Sequence, residues 1–246
     1  MIFVKYFNFL FFVLLNLSLY SQNSLNVVAT YKLKTQSSGK VVKESNISEV
    51  REVLNGMNKN FDNLEYLLYC NSYSSIYFLK EKLQINDDIG YKVASIFGGS
   101  GIYYIDINKE LKLIQKKAFG ETFNVIYPLN DESWIIHKES KIIDGYTCFK
   151  ATSIKEEYDY QRKMNITTNF IVWFTPDIPL PFGPKGFSGL PGLIMEAVIN
   201  KNTVLYITNI NFNSTDVEKK LIKPKKGKNI TKDEYLKLSA SIREKN

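Results

Sequence analysis

The stretch "PDIPLPFGPKGFSGLPG" at 176–192 carries five of the chain's seven prolines and four of its thirteen glycines. Proline fixes φ and removes a backbone donor, so this segment cannot run inside a sheet. Both of its flanks nevertheless read as strands. "TNFIVWFTP" (168–176) sets Phe170, Val172 and Phe174 on one face and Ile171 and Trp173 on the other, and "LIMEAVIN" (193–200) follows the crossover. A strand apolar on both faces is covered on both. A flat, one-sided sheet is therefore excluded, and the proline-rich segment has to cross between two buried strands.

Within the crossover, Gly183, Gly186, Gly189 and Gly192 recur every three residues. The order Leu190-Pro191-Gly192 predicts a type II turn with Gly192 at positive φ. Leu190, Leu193 and Ile194 are then expected to plug the end of a curved sheet. The alternative for the same loop is a binding rim made of Trp173, Pro179, Pro181, Phe182, Phe187, Gly189, Leu190, Pro191, Gly192, Leu193 and Ile194. In that reading Phe182 and Phe187 are exposed to a ligand or partner.

Elsewhere the periodicity is mostly that of strands. Runs at 25–34, 65–80, 101–107, 111–118, 122–128, 133–140, 146–154 and 203–212 are rich in β-branched and aromatic residues. "YKVASIF" (91–97) reads as one more, joined to "GIYYIDI" by a Gly-Gly-Ser-Gly turn. Asp144-Gly145 is a hairpin-favouring pair. Two segments have helical spacing instead: 49–61, through Val50, Val53, Leu54 and Met57, and the C-terminal end, through Tyr235, Leu238 and Ile242. Thr231 and Glu234 stand at capping-box spacing before the latter. The fold class expected is mainly β: a curved antiparallel sheet, half-barrel-like or a sandwich, with one or two short helices.

The N-terminus, "MIFVKYFNFLFFVLLNLSLYSQN", has Lys5, an apolar run and a small residue, Ser21. That is the order of a secretory signal peptide, with cleavage expected near Ser21–Gln22. Asn8, Asn16 and Ser18 break the run of roughly 20 apolar residues that a membrane-spanning helix needs. No transmembrane segment is expected after signal removal. The organisation expected is a signal peptide (1–21), one β-rich domain (22–218) and a basic tail (219–246). The formal charge of +7 lies in that tail, which holds ten positive and three negative side chains, whereas 22–218 holds 21 and 22. A neutral body argues against nucleic acid as a partner. Cys70 and Cys148 form an even pair in an oxidising compartment. A bridge would close a long loop and contribute about 4–5 kcal/mol; two buried thiols are the other reading.

The chemistry-bearing residues are sparse. The one histidine, His137, alternates with Ile135 on a strand, where a surface role is expected. "GFSGL" has Leu190 where a nucleophile elbow needs glycine. Asp87–Asp88, Asp131–Glu132 and Glu156–Glu157 sit in polar connections, and adjacency alone makes no acid/base pair. No catalytic residue, metal site or cofactor is assigned. A carboxylate-dependent hydrolase remains as an alternative, with Glu196 and Asp177 the carboxylates nearest the motif.

The stretch "WFTPDIPLPFGPKGFSGLPGLIMEAV" (173–198), together with "KIIDGYTCFKATS" (141–153), resembles the GLPGLI family, named for the residues found here at Gly189–Ile194. The resemblance implies an exported protein of Bacteroidetes-type bacteria, placed in the periplasm or on the exterior of a Gram-negative cell. It supplies no established activity and no catalytic residues. Family members are often encoded near TonB-dependent outer-membrane receptors. The role this implies is contact with an outer-membrane transport partner, or pure interaction beside such a receptor; the Tyr-rich strands themselves suit binding of an apolar or peptide-like ligand.

Overall fold

The computed structural model describes residues 25–35, 48–81, 89–200 and 203–243. The segment read as a signal peptide, the Asp87–Asp88 pair and the last three residues lie outside them. A single open, curled sheet of twelve strands runs through the described residues.

In chain order the strands are β1 (Val27–Thr35), β2 (Tyr66–Cys70), β3 (Ser74–Leu79), β4 (Ile102–Asp106), β5 (Leu111–Ala118) and β6 (Glu121–Tyr127), then β7 (Ile135–Ile143), β8 (Tyr146–Asp159), β9 (Met164–Thr175), β10 (Leu193–Asn200), β11 (Thr203–Phe212) and β12 (Lys228–Thr231). The spatial order is β12-β6-β5-β4-β3-β2-β1-β11-β10-β9-β8-β7. Neighbours are antiparallel except β12 and β6, which run parallel. β1 therefore lies mid-sheet, between β2 and β11. It buries Val27, Ala29, Tyr31 and Leu33 on one face, the period-2 pattern of a strand. The mainly β, curved-sheet expectation holds.

Among the described residues four α-helices accompany the sheet: α1 (Ser48–Phe61), α2 (Ile89–Gly98), α3 (Asp216–Lys220) and α4 (Lys232–Arg243). α1 and α4 were legible from spacing. The capping box forms as written: the Thr231 N–H and hydroxyl reach Glu234 Oε2 at 2.9 and 2.7 Å, and the Glu234 N–H donates to Thr231 Oγ1 at 3.3 Å.

The segment 91–97 is not a strand but the body of α2. Gly90, Ala94 and Gly98 recur every four residues and are buried. A Cβ on Gly90 would come within 2.8 Å of Gly56 Cα in α1, so two glycines let the helix backbones nearly touch. Small residues at helical spacing, not hydrophobicity, were the signal. The single run read at 65–80 is two strands, split by a turn in which Asn71 Oδ1 accepts from the N–H groups of Tyr73 and Ser74 at 3.0 and 2.8 Å. The segment read as a basic tail supplies the twelfth strand and the last helix.

Each face of the sheet carries its own cluster. Inside the curl, Tyr31, Tyr66, Leu68, Cys70, Tyr77 and Tyr103 pack with Leu33, Leu205 and Met57. Outside β2–β5, Tyr69, Ile76, Tyr104 and Leu113 pack with Val217 of α3.

Candidate functional site

The proline-rich crossover between β9 and β10 folds onto the inner face. Three of its prolines centre three-residue turns: Leu180 N–H donates to Ile178 O (2.7 Å), Phe182 N–H to Leu180 O (2.8 Å) and Gly192 N–H to Leu190 O (2.8 Å). Proline's fixed φ suits the centre of such a turn. The loop also bonds to itself, through Leu193 N–H to Ile178 O, Ile194 N–H to Phe182 O and Gly189 N–H to Pro181 O, at 2.9–3.1 Å. Carrying its own hydrogen bonds is what allows irregular backbone to be buried.

That burial corrects the rim reading. Phe182 is fully buried and Phe187 nearly so, and Ile178, Leu180, Leu190, Leu193 and Ile194 join them in the interior. Trp173 and Pro181 are half-buried, while only Pro179, Gly189 and Pro191 of the expected rim are exposed. Gly192 departs from its expectation too: among the crossover glycines positive φ belongs to Gly186 (+76°) and Gly189 (+91°), not to Gly192. The reason for glycine at 192 is contact, because a Cβ there would overlap the Thr175 carbonyl.

The loop reaches across the curl. Lys185, in a left-handed conformation (φ +56°), donates to Phe97 O at the end of α2, 3.0 Å away. Gly186 lies against the Tyr103 ring. On the near side, Trp134 Nε1 donates to Ser188 O (2.8 Å), and Phe187 meets Trp134 and Phe170 edge-on. Tyr31 in mid-sheet donates to Ile194 O (2.7 Å). Burial, and then the nearby Lys116 charge, hold the Lys185 ammonium down at about 8.

The other sequence candidates are dispersed. Glu196 is buried and its carboxylate is occupied: Lys141 lies at 2.6 Å and Lys34 at 3.5 Å. Asp177 is exposed. His137 sits on edge strand β7, with Nε2 2.7 Å from Thr152 Oγ1. Cys70 and Cys148 are free, buried thiols, not a bridge. They lie on β2 and β8, with β1, β11, β10 and β9 between them in the sheet. Burial raises both, Cys148 to about 11, so neither is a ready nucleophile.

What sequence reasoning missed lies on the outer face. Leu67, Tyr69, Ile76, Phe78, Leu79 and Ile102 floor a groove of about 990 Å³. Tyr69 and Phe78 stack with ring centroids 5.9 Å apart. At one end Val217 and Leu221 of the α3 region pack on the same apolar cluster. At the other, Gln115 Nε2 donates to Lys226 O at 2.6 Å, which ties down the chain leading into β12. Residues 213–227 thus form a strap across this face. Lys80, Lys117, Lys220 and Glu81 stand at the groove's edges.

The strap's far end is locked by charge. Lys232, at the start of α4, lies 2.5 Å from Glu157 and 3.6 Å from Asp131, and Asp131 also pairs with Lys155. Lys112 and Glu132 make a neighbouring buried pair at 2.7 Å. Asp131, Glu132 and Glu157, three of the four carboxylates in the two adjacent pairs, are therefore held in structural ion pairs. A second cleft, about 610 Å³, lies between the β8–β9 hairpin tip and α4. Its wall mixes Phe119, Tyr158 and Tyr235 with Lys116, Asp159 and Arg243. Among the described residues no group of His, Cys, Asp or Glu is arranged to hold a metal.

The signal for the outer groove was present but unread. In "EYLLYCNSYSSIYFLK", Leu67 and Tyr69 alternate with Tyr66 and Leu68, and Ile76 and Phe78 flank Tyr77. Those strands are apolar on both faces, just as β9 is.

Residues 156–196 match a family model described as "Protein of unknown function (Porph_ging)". The matched window is the end of β8, all of β9, the crossover and the start of β10. No curated protein matches the chain. Two solved structures of PNGF-II share the fold. In the C2 space group the TM-score is 0.53 at 15% identity, covering 89% of this chain and 32% of that one. In P21 it is 0.53 at 14% identity, covering 87% and 33%. The chain thus spans about a third of the length of the solved chains it matches. At such identity the likeness is one of fold.

Proposed function

We propose that this protein is an exported, non-enzymatic binding protein of the GLPGLI type, and that it takes an apolar ligand in the groove outside β2–β5. The observation carrying this reading is the contrast between an inner face buried under the crossover and a large, open, apolar groove on the opposite face. The volume falls at the top of the range of about 300–1,000 Å³ common for small-molecule sites. Half-buried Leu67, Phe78 and Ile102 supply surface that a ligand would remove from water, worth about 25 cal/mol per Å².

Export is supported by the signal-like N-terminus, and GLPGLI membership by the six-residue match at Gly189–Ile194 within the Porph_ging window. Catalysis by Glu196 and Asp177 is disfavoured by the first being neutralised by two lysines while the second stands exposed. Contact with an outer-membrane transport partner is compatible with this role, as the step that delivers or collects the ligand.

The test is purification from the native envelope without detergent, followed by solvent extraction and mass spectrometry. A stoichiometric apolar molecule carried by the wild type but not by Phe78→Ser is expected. Equal loading of both proteins, or none in the wild type together with no uptake of the neutral apolar dye N-phenyl-1-naphthylamine, contradicts the proposal.

A further inference from the structure

The groove's floor and its edges differ in chemistry, and that difference identifies the ligand class. The floor is hydrocarbon and aromatic: Leu67, Tyr69, Ile76, Phe78 and Ile102. The strap above it, residues 213–227, is net cationic, with five lysines against Asp216 and Glu218. Of the four lysines lining the groove, Lys80 is already neutralised by Glu65 at 2.8 Å and Lys116 lies over the Tyr235 ring. Lys117 and Lys220 are exposed and, among the described residues, have no ion-pair partner. Glu81 is the single carboxylate on the lining.

Resting on the groove reading above, we propose that the ligand is a single-chain anionic amphiphile, a long-chain carboxylate. Its alkyl chain lies along the Leu67–Phe78–Ile102 floor, and its carboxylate meets Lys117 and Lys220 at the edge. A neutral alkane would leave these two cations unused. A cationic amphiphile would be repelled by them and by the strap. An ammonium beside a carboxylate at a half-wet rim makes a charge-assisted hydrogen bond, and the apolar floor rewards each buried methylene. The strap's charge also draws an anion in from a distance, an effect that salt screens over about 10 Å at 0.1 M.

The experiment is calorimetric titration of the full mature chain with dodecanoate, 1-dodecanol and dodecyltrimethylammonium, each below its micellar concentration. One dodecanoate per protein is expected, bound at least tenfold more tightly than dodecanol, with no saturable binding of the ammonium. Shortening to decanoate should weaken binding by up to about fourfold per methylene, from about 0.8 kcal/mol each. Lys117→Glu with Lys220→Glu, both surface changes, should cost dodecanoate about tenfold and leave dodecanol unchanged.

Equal affinity for dodecanoate and dodecanol, or an unaltered dodecanoate affinity in the double variant, overturns the anionic assignment while the groove reading stands. Failure of all three amphiphiles and of the naphthalene dye overturns both. Tighter binding of an extended peptide alternating leucine and glutamate than of dodecanoate overturns the single-chain assignment in favour of a peptide.

Discussion

The two faces of one sheet are built from similar residues and end in opposite states. Inside the curl, Tyr31, Tyr66, Tyr77 and Tyr103 are covered by a loop that brings its own hydrogen bonds, its own apolar side chains and a lysine pinned to α2. Outside, a strap packs Val217 onto buried Tyr69 and Ile76 and leaves Leu67, Phe78 and Ile102 half-exposed. Apolar strands alone therefore do not make a core. What separates core from groove is whether the covering segment fits closely enough to exclude everything else, and proline and glycine give the crossover that fit.

The largest expected effect breaks the inner cover. Gly192→Val drives a branched side chain into the Thr175 backbone, which cannot retreat without moving β9. We expect loss of the folded state or a cost of at least about 3 kcal/mol, read as a fall in Tm; an unchanged melt would mean the contact is not needed. Next, Phe182→Ala should cost about 3–5 kcal/mol, as for a buried aromatic, while Phe78→Ala on the outer face should cost clearly less and abolish ligand uptake. Equal destabilisation by the two would erase the distinction between the faces.

Much of this was legible in the sequence, and the gaps have physical causes. The two-faced pattern of Phe170–Phe174 and the donor-poor crossover predict a covered, curved sheet, and Thr231 with Glu234 locates the last helix. α2 was misread because "YKVASIF" is apolar and β-branched enough for a strand, while its Gly90–Ala94–Gly98 stripe acts only once α1 lies against it. The plug reading of Leu190, Leu193 and Ile194 was legible, whereas the alternative with Phe182 and Phe187 exposed fails because three proline-centred turns satisfy the loop's backbone and let it sink. The groove escaped notice because Leu67, Tyr69, Ile76 and Phe78 read as further core, and nothing local in the sequence reports how far the strap at 213–227 covers them.

Two smaller effects sharpen the inner half. The Lys185 ammonium titrates near 8 in the folded protein, below the ordinary lysine value of 10.5. The unfolded chain therefore holds more protons between those values, and stability attributable to Lys185 should rise as pH climbs from about 8 to 10.5. Lys185→Met should flatten that part of the stability curve; an identical pH dependence in both proteins would place the ammonium in water. Smallest is the thiol reading. Two thiols should react with Ellman's reagent in the denatured, unreduced protein and almost none in the native state, because Cys70 and Cys148 are both buried and raised. No reactive thiol after denaturation would indicate a bridge.

A covered inside and a receptive outside are told apart by amide-resolved NMR during titration with dodecanoate. Progressive shifts are expected at Leu67, Tyr69, Ile76, Phe78, Ile102, Lys117 and Lys220, with Tyr31, Tyr77, Phe182 and Leu190 unmoved. Shifts concentrated at the crossover and the inner tyrosines, with the outer strands silent, would contradict that assignment of the two faces.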